Sequence, residues 1–480
     1  MPLSLLDLPA ELVIEISAHS NNPHLPLVCR SLCNIIYSTP SLWSFIYIGI
    51  KQQIPGGQAF LDRRLERSAT CPLDIVIIDS NSHATTMLWT RLASHRDRIR
   101  SLEINTDMWI LTGRILCAIL LDNPSTSLPS LRKLSIRHDE DLVFPFQSDL
   151  PMDPSTLLRS MANLFSSLTT LVLPCIRQCI IVPEAPILSL RTLILDVSLP
   201  WKWSPPSSHK VAQLLVKVPN LETLWCKDHN MFTDFPPNIN PLPIDGPPLH
   251  FPVFLPKLIK LAATVPGIGV ALLKAIEAPA LQDLHLDGTR DDEADEDLVA
   301  WLESHPRTIH SALQLTASRS PLLRRLALVR AYIPRDAWEW ILGCTSHDTN
   351  LPFPHLVSIA VRQMEAVKWE VTNAVDNALM ELYAKKGRLI LRRFAYLASE
   401  PQLRGVALHQ FINGVTIAQV PPDEIFELEL DGTFGVDTKE RLDDLLLTKG
   451  VRVILHEERP QRKGWWSLGG DIDPTEADSY

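Results

Sequence analysis

Between Pro219 and Cys226 the chain reads PNLETLWC, and the fold turns on how this octapeptide is read. Leu221, Leu224 and Cys226 are the first, fourth and sixth residues of an apolar-x-x-apolar-x-apolar phrase. The last two alternate with other residues at the period of a short strand that buries one face. Pro219, two residues ahead, removes a backbone donor where no ladder bond is yet needed and stiffens the approach. The phrase recurs as IRSLEI (99–104), LRKLSI (131–136), LTTLVL (168–173) and LRTLIL (190–195). It continues as LIKLAA (258–263), LQDLHL (281–286), LRRLAL (323–328) and LVSIAV (356–361). Prolines stand at the same offset at Pro129, Pro256, Pro279, Pro321 and Pro354. One such strand cannot bury its apolar side alone, but a parallel stack of them can.

The first apolar residues lie 22 to 42 residues apart, mostly more than the roughly 20–29 of a standard short repeat. The excess predicts helices or loops between strands. Asp153-Pro154 caps and opens one helix, Ser207 or Ser208 caps HKVAQLLVKV, and Ala294–Glu303, Asp336–Leu342 and Val371–Lys385 are amphipathic. The fold class expected is therefore α/β. Weaker copies at Leu391–Tyr396, Ile425–Leu430 and Val451–Leu455 carry the pattern to residue 456. Over Ile99–Val361 the sequence resembles the leucine-rich-repeat family. That resemblance implies a solenoid with parallel strands on one face and helices on the other. The family's asparagine, eight residues after the first leucine, is replaced by Asp107, Ile176, Ser198 and His229, which predicts less regular curvature. The residues expected inside are Leu134, Ile136, Leu171, Leu173, Leu193, Leu195, Leu224, Leu261, Leu284, Leu286, Leu326 and Leu328.

Ahead of the repeats, residues 8–43 read LPAELVIEI … LPLVCRSLCNIIYSTPSLW. This stretch resembles an F-box, with Leu32 in the place of the family's usual tryptophan. F-box modules are small and helical and dock a Skp-type adaptor, joining a cullin-RING ubiquitin ligase. The resemblance assigns adaptor binding to Leu8, Pro9, Leu12, Ile16, Leu27, Val28, Leu42 and Trp43. FLDRRLERSATCPLDIVI (60–77) resembles the connector common in fungal F-box proteins with leucine-rich repeats. The expected organisation is a helical module at 1–50, a connector at 51–98, an irregular solenoid at 99–456 and a polar tail at 457–480.

Composition narrows the function. Net charge is −10, whereas a general nucleic-acid binder carries a basic surplus to neutralise phosphates. The N-terminus lacks the basic stretch of a signal peptide, and Ile110–Leu121, interrupted by Arg114, is too short to cross a bilayer. Cytoplasmic or nuclear placement follows as an expectation, with no membrane and no nucleic acid among the partners. Cys29/Cys33 and Cys175/Cys179 lack the histidine partners of a zinc site and read as free thiols. Lys260–Asp287 contains Gly267-x-Gly269 between two strand phrases, the layout of a dinucleotide site, but Leu272 replaces the third glycine. Asp291–Asp297 (DDEADED) lacks the glycine and glutamate of a calcium loop and reads as a solvated turn. No catalytic, metal or cofactor residues are assigned, and the chain is read as a non-enzyme.

Two functions remain open. In one, the chain recognises an unidentified protein substrate for a cullin-RING ligase; in the other, it is a repeat scaffold without a ubiquitin link. In both, a partner meets the sheet face opposite the leucines, which predicts contacts at Trp225, Lys227, Lys260, His285, Asp287, Arg325 and Arg362. Trp225 is expected as an exposed hot spot at the centre of that row, unless the proline-rich stretch Phe235–Pro256 covers it. The tail holds one large apolar feature, Trp465-Trp466.

Overall fold

A computed structural model describes residues 30–49, 57–79, 91–106, 128–137, 166–174, 182–183, 185–197, 208–228, 252–265, 268–288, 306–329, 353–356, 358–362, 393–396, 426–431 and 451–456, with helical positions 112, 115, 116, 119 and 340. The chain divides into two compact units, Met1–Ala278 and Pro279–Tyr480.

The first unit opens with helix α1 (Arg30–Ser38), a 3₁₀ turn (Pro40–Trp43), strand β1 (Phe45–Ile48) and helix α2 (Gly57–Arg67). Strands β2 (Leu73–Asp79), β3 (Ile99–Thr106), β4 (Lys133–Arg137), β5 (Thr170–Pro174) and β6 (Thr192–Val197) follow. Then come α3 (Ser208–Val216), β7 (Thr223–Asp228), β8 (Val253–Phe254), β9 (Lys260–Val265), α4 (Ile268–Ala275) and β10 (Ile276–Glu277). Strands β1 to β7 pair in chain order and β9 joins β7, all parallel; β8 and β10 form a separate parallel pair. The sheet therefore starts at Phe45, inside the segments expected as helical module and connector.

The register explains the phrase. Leu102, Leu134, Leu171, Leu193, Leu224 and Leu261 align in one row across six strands, and all are buried. The next inward row runs Leu173, Leu195, Cys226, Ala263. It shrinks to small residues where α4 packs on β7 and β9. A Cβ added to Gly269 would lie 2.2 Å from the Thr264 carbonyl oxygen and 3.1 Å from the Ala263 side chain. The glycine that suggested a nucleotide loop thus lets a helix sit close on the core face. The first residue of every phrase, from Ile99 to Leu356, is buried too.

Proline does more than remove a donor. The Leu131, Leu221, Leu258, Leu323 and Leu356 amides donate to the carbonyls of Leu128, Val218, Leu255, Ser320 and Phe353. Each closes a four-residue turn with proline second, where its fixed φ is already suitable. The residue before proline is buried as well, apolar in each turn but that of Ser320, so the phrase extends one buried residue further back than the sequence suggested. At the start of β5, β6, β7, β9 and β12 one carbonyl of the preceding repeat then grips two amides of the next. Arg132 receives Thr169 and Thr170, Thr169 receives Arg191 and Thr192, Arg191 receives Glu222 and Thr223, and Glu222 receives Ile259 and Lys260. Side chains add links between turns: Arg191 Nη1 to Asn220 O at 3.0 Å and Asn220 Nδ2 to Leu188 O at 2.9 Å. Among the described residues, repeats are stitched together just before the strand; the substituted asparagine positions lie outside the described residues.

The second unit holds β11 (Asp283–Gly288), α5 (Pro306–Arg319), β12 (Arg325–Val329), β13 (Ser358–Arg362), β14 (Arg393–Tyr396), β15 (Phe426–Asp431) and β16 (Val451–His456). These strands also pair in chain order and in parallel, and the three weak phrase copies become β14, β15 and β16. Leu284, Leu286 and Leu326 are buried; Leu328 is placed by its backbone. Every expected core residue whose side chain is described is inside. Helix α5 was not foreseen, although Pro306 at its first position is a recognised start; the helices expected at 153, 294–303 and 371–385 lie outside the described residues. No described helix is long and apolar enough to cross a membrane. The architecture is α/β, with long parallel sheet built one strand per repeat.

Candidate interaction surface

Opposite the leucine rows, each strand presents residues from the places between them. In the first unit one such row runs Val76, Glu103, Ser135, Val172, Ile194, Trp225, Ala262. A neighbouring row carries Lys133 and then three aligned threonines, Thr170, Thr192 and Thr223, before Lys260. Polar and ionic pairs hold the early strands: Arg100 grips Asp74 with two hydrogen bonds, which raises the guanidinium pKa above its ordinary range, and Lys133 lies 3.6 Å from Glu103.

The centre of that row departs from expectation. Trp225 is only 3% exposed, and Val172, Ile194 and Ala262 beside it are equally buried. Leu224 and Cys226, pointing the other way, are also fully buried. At the level of Trp225, strands β5, β6, β7 and β9 are therefore buried and apolar on both faces, as parallel strands covered on both sides are. The exposed hot spot expected at Trp225 is corrected to a buried ring. Lys260 is half-buried, and Lys227 is placed by backbone only.

In the second unit the corresponding row reads His285, Ala327, Ala360, Ala395, Glu429, Ile454. His285, Asp287 and Ala327 are partly exposed. Asp283, 5% exposed, holds the 53% exposed side chain of Arg325 through Nε at 2.5 Å and Nη2 at 2.8 Å. The bidentate geometry fixes the plane of the guanidinium. Arg362 is placed by its backbone at the end of β13, in the row of Asp287 and Val329. Of the expected contact residues, Arg325 and His285 thus lie on an accessible face, and Trp225 does not.

At the N-terminal end, Leu8, Pro9, Leu12, Ile16, Leu27 and Val28 lie outside the described residues. Leu42 and Trp43 are half-buried. Trp43 donates its indole N–H to Ile36 O at 2.9 Å and stacks on Tyr37 with centroids 5.5 Å apart. Arg67 lies over both rings, at 4.1 Å from Tyr37 and 4.5 Å from Trp43. Arg64 lies over Trp43 and Phe60 and donates to the Phe45 carbonyl; burial lowers its pKa. Cation–π contacts of this kind contribute about 0.5–2 kcal/mol each. They tie α1 and its following turn to α2, so Trp43 is an internal strut as well as an expected adaptor contact. Leu32 is buried within α1.

Among the described residues no group of three His, Cys, Asp or Glu side chains could hold a metal ion, and Cys33, Cys71 and Cys226 are free thiols. No known family model matches the chain, and no curated protein matches it. A crystal structure of a Bacteroides fragilis protein from a structural genomics consortium is similar over 72% of this chain and 71% of that one, at 13% identity and a TM-score of 0.32. At that score the likeness decides neither fold nor role.

Proposed function

We propose that this protein is a substrate-recognition subunit of a cullin-RING ubiquitin ligase. In this reading an F-box-like module at 1–50 captures a Skp-type adaptor, and a leucine-rich-repeat solenoid presents a face to a target protein. The observation that carries it is the sequence Leu8–Trp43, which resembles an F-box and runs straight into a repeat sheet. The Trp43–Arg67–Tyr37 stack supports the reading physically, because a module that delivers a target must be held firmly to the surface that binds it. The chain itself supplies no catalytic group in this role.

The test is capture of a purified Skp-type adaptor by the full-length protein. Wild type should retain the adaptor, and the double substitution Leu8→Ala, Pro9→Ala should lose it with an unchanged melting temperature. Failure of the wild type to bind, or undiminished binding by the double variant, would remove the ligase role and leave a repeat scaffold.

A further inference from the structure

Phe60, Arg64 and Arg67 follow one another at helical spacing and share one face of α2. They meet Tyr37 of α1 and Trp43 of the turn after it, and rings alternate with cations. The Arg64 guanidinium carbon lies 5.1 Å from the Phe60 centroid and 5.8 Å from that of Trp43. The Arg67 carbon lies 4.5 Å from Trp43 and 4.1 Å from Tyr37. The planes of Tyr37 and Trp43 differ by 9°, so the two rings form a shelf under Arg67. Tyr37 and Phe60, at the two ends, are 43% and 42% exposed. Trp43, which the F-box resemblance assigns to the adaptor, is the half-buried floor of this patch.

Among the described residues neither guanidinium has a carboxylate partner. Arg64 spends one donor on the Phe45 carbonyl, and its Nε is buried without a hydrogen bond. Arg67 contacts rings alone, so the donors in its plane are unspent. The acidic residues of α2, Asp62 and Glu66, project about 100° or more round the helix from this face. Asp62 already faces Arg91 at 3.6 Å. Arg63, exposed, stands one turn before Arg67 on the same flank. A half-buried cation without a counter-ion is held at a cost, which is why burial lowers the Arg64 pKa. An anion brought beside it reduces that cost.

We propose that this patch binds an acidic segment of a partner protein, with carboxylates on Arg67 and Arg63 and a bulky apolar side chain against Tyr37 or Phe60. Arginine and aromatic rings are the residue types that concentrate at the centres of protein interfaces. A guanidinium already flat on two rings has lost its freedom before a partner arrives, and it offers paired donors that match a carboxylate. Three neighbouring arginines, in a chain of net charge −10, suit a few carboxylates. Nucleic acid needs a longer basic surface. The proposal goes beyond the ligase reading and stands apart from it, because the chain alone binds the segment.

The test uses full-length protein and fluorescence anisotropy at physiological salt. The probes are a labelled glutamate-rich peptide carrying one phenylalanine, the same peptide with glutamine for glutamate, one with alanine for phenylalanine, and a single-stranded oligonucleotide. The first peptide should bind, the glutamine peptide should not, and the alanine peptide should bind more weakly. Arg67→Glu should weaken binding of the first peptide about tenfold or more. Arg67→Met, which keeps an apolar stem on the rings, should do the same where charge reversal lowers the melting temperature. Reversal of the exposed Lys257 and Arg324 to glutamate should leave binding unchanged. No binding of the first peptide, equal binding of the glutamine or alanine peptide, or tighter binding of the oligonucleotide would overturn the proposal. So would undiminished binding by both Arg67 variants, or an equal loss in the Lys257 and Arg324 variant.

Discussion

Strand β7 in the first unit and strand β12 in the second share a core-facing pattern and differ on their other side. Leu224 and Leu326 occupy the same place in the phrase and both are buried. One residue on, β7 has Trp225, which is buried, and β12 has Ala327, which is partly exposed. The leucine side of a strand is under one constraint everywhere, because it must close against the next layer. The other side is free to be sealed in one region and open in another, and there the two strands differ.

The comparison can be broken most directly at Trp225. Trp225→Ala should cost about 3–5 kcal/mol, as large as or larger than the roughly 2–5 kcal/mol expected for Leu224→Ala on the opposite face. Urea unfolding of the two variants decides it; a loss for Trp225→Ala below about 1 kcal/mol would mean that this face is open. Next in size is Gly269→Ala, where the new methyl would run into backbone rather than a movable side chain. A loss of about 1–3 kcal/mol in thermal or chemical unfolding is expected, and a neutral result would mean that α4 does not sit so close on β9. The smallest effect belongs to the open side of the second unit: Ala327→Ser should change stability by no more than about 0.5 kcal/mol.

Much of this was legible from the residues, and the part that was not has a physical cause. The leucine phrase gave the core because burial imposes the same residue class at the same offset in each unit. It even gave the faint strands β14 to β16. Trp225 lies on the expected face but is buried where exposure was expected, because period-two alternation says which face a residue is on, and nothing about what lies over that face. A clue was present in its row: Val172, Ile194 and Ala262 are apolar where Ser135 and Glu103, nearer the N-terminus, are not. An apolar run on the supposed outer side reads as a second buried face. The early limit of the sheet was missed because FIYI has no opening leucine, and in LDIVIID the opening Leu73, paired with Ile99, stands one residue closer to the next inward position, Ile75, than the phrase requires.

The carbonyl that holds two amides of the following unit has a consequence for how such a chain can change. Because the strands held in this way are indexed to the last before they begin, the amount of polypeptide spent between them does not enter the alignment. Segments as short as the one between β5 and β6 and as long as the one between β11 and β12 leave the same register behind. Duplication, loss or grafting of material between strands is therefore tolerated by construction. The molecule can acquire new loops at many points along its length without losing count of its own repeats.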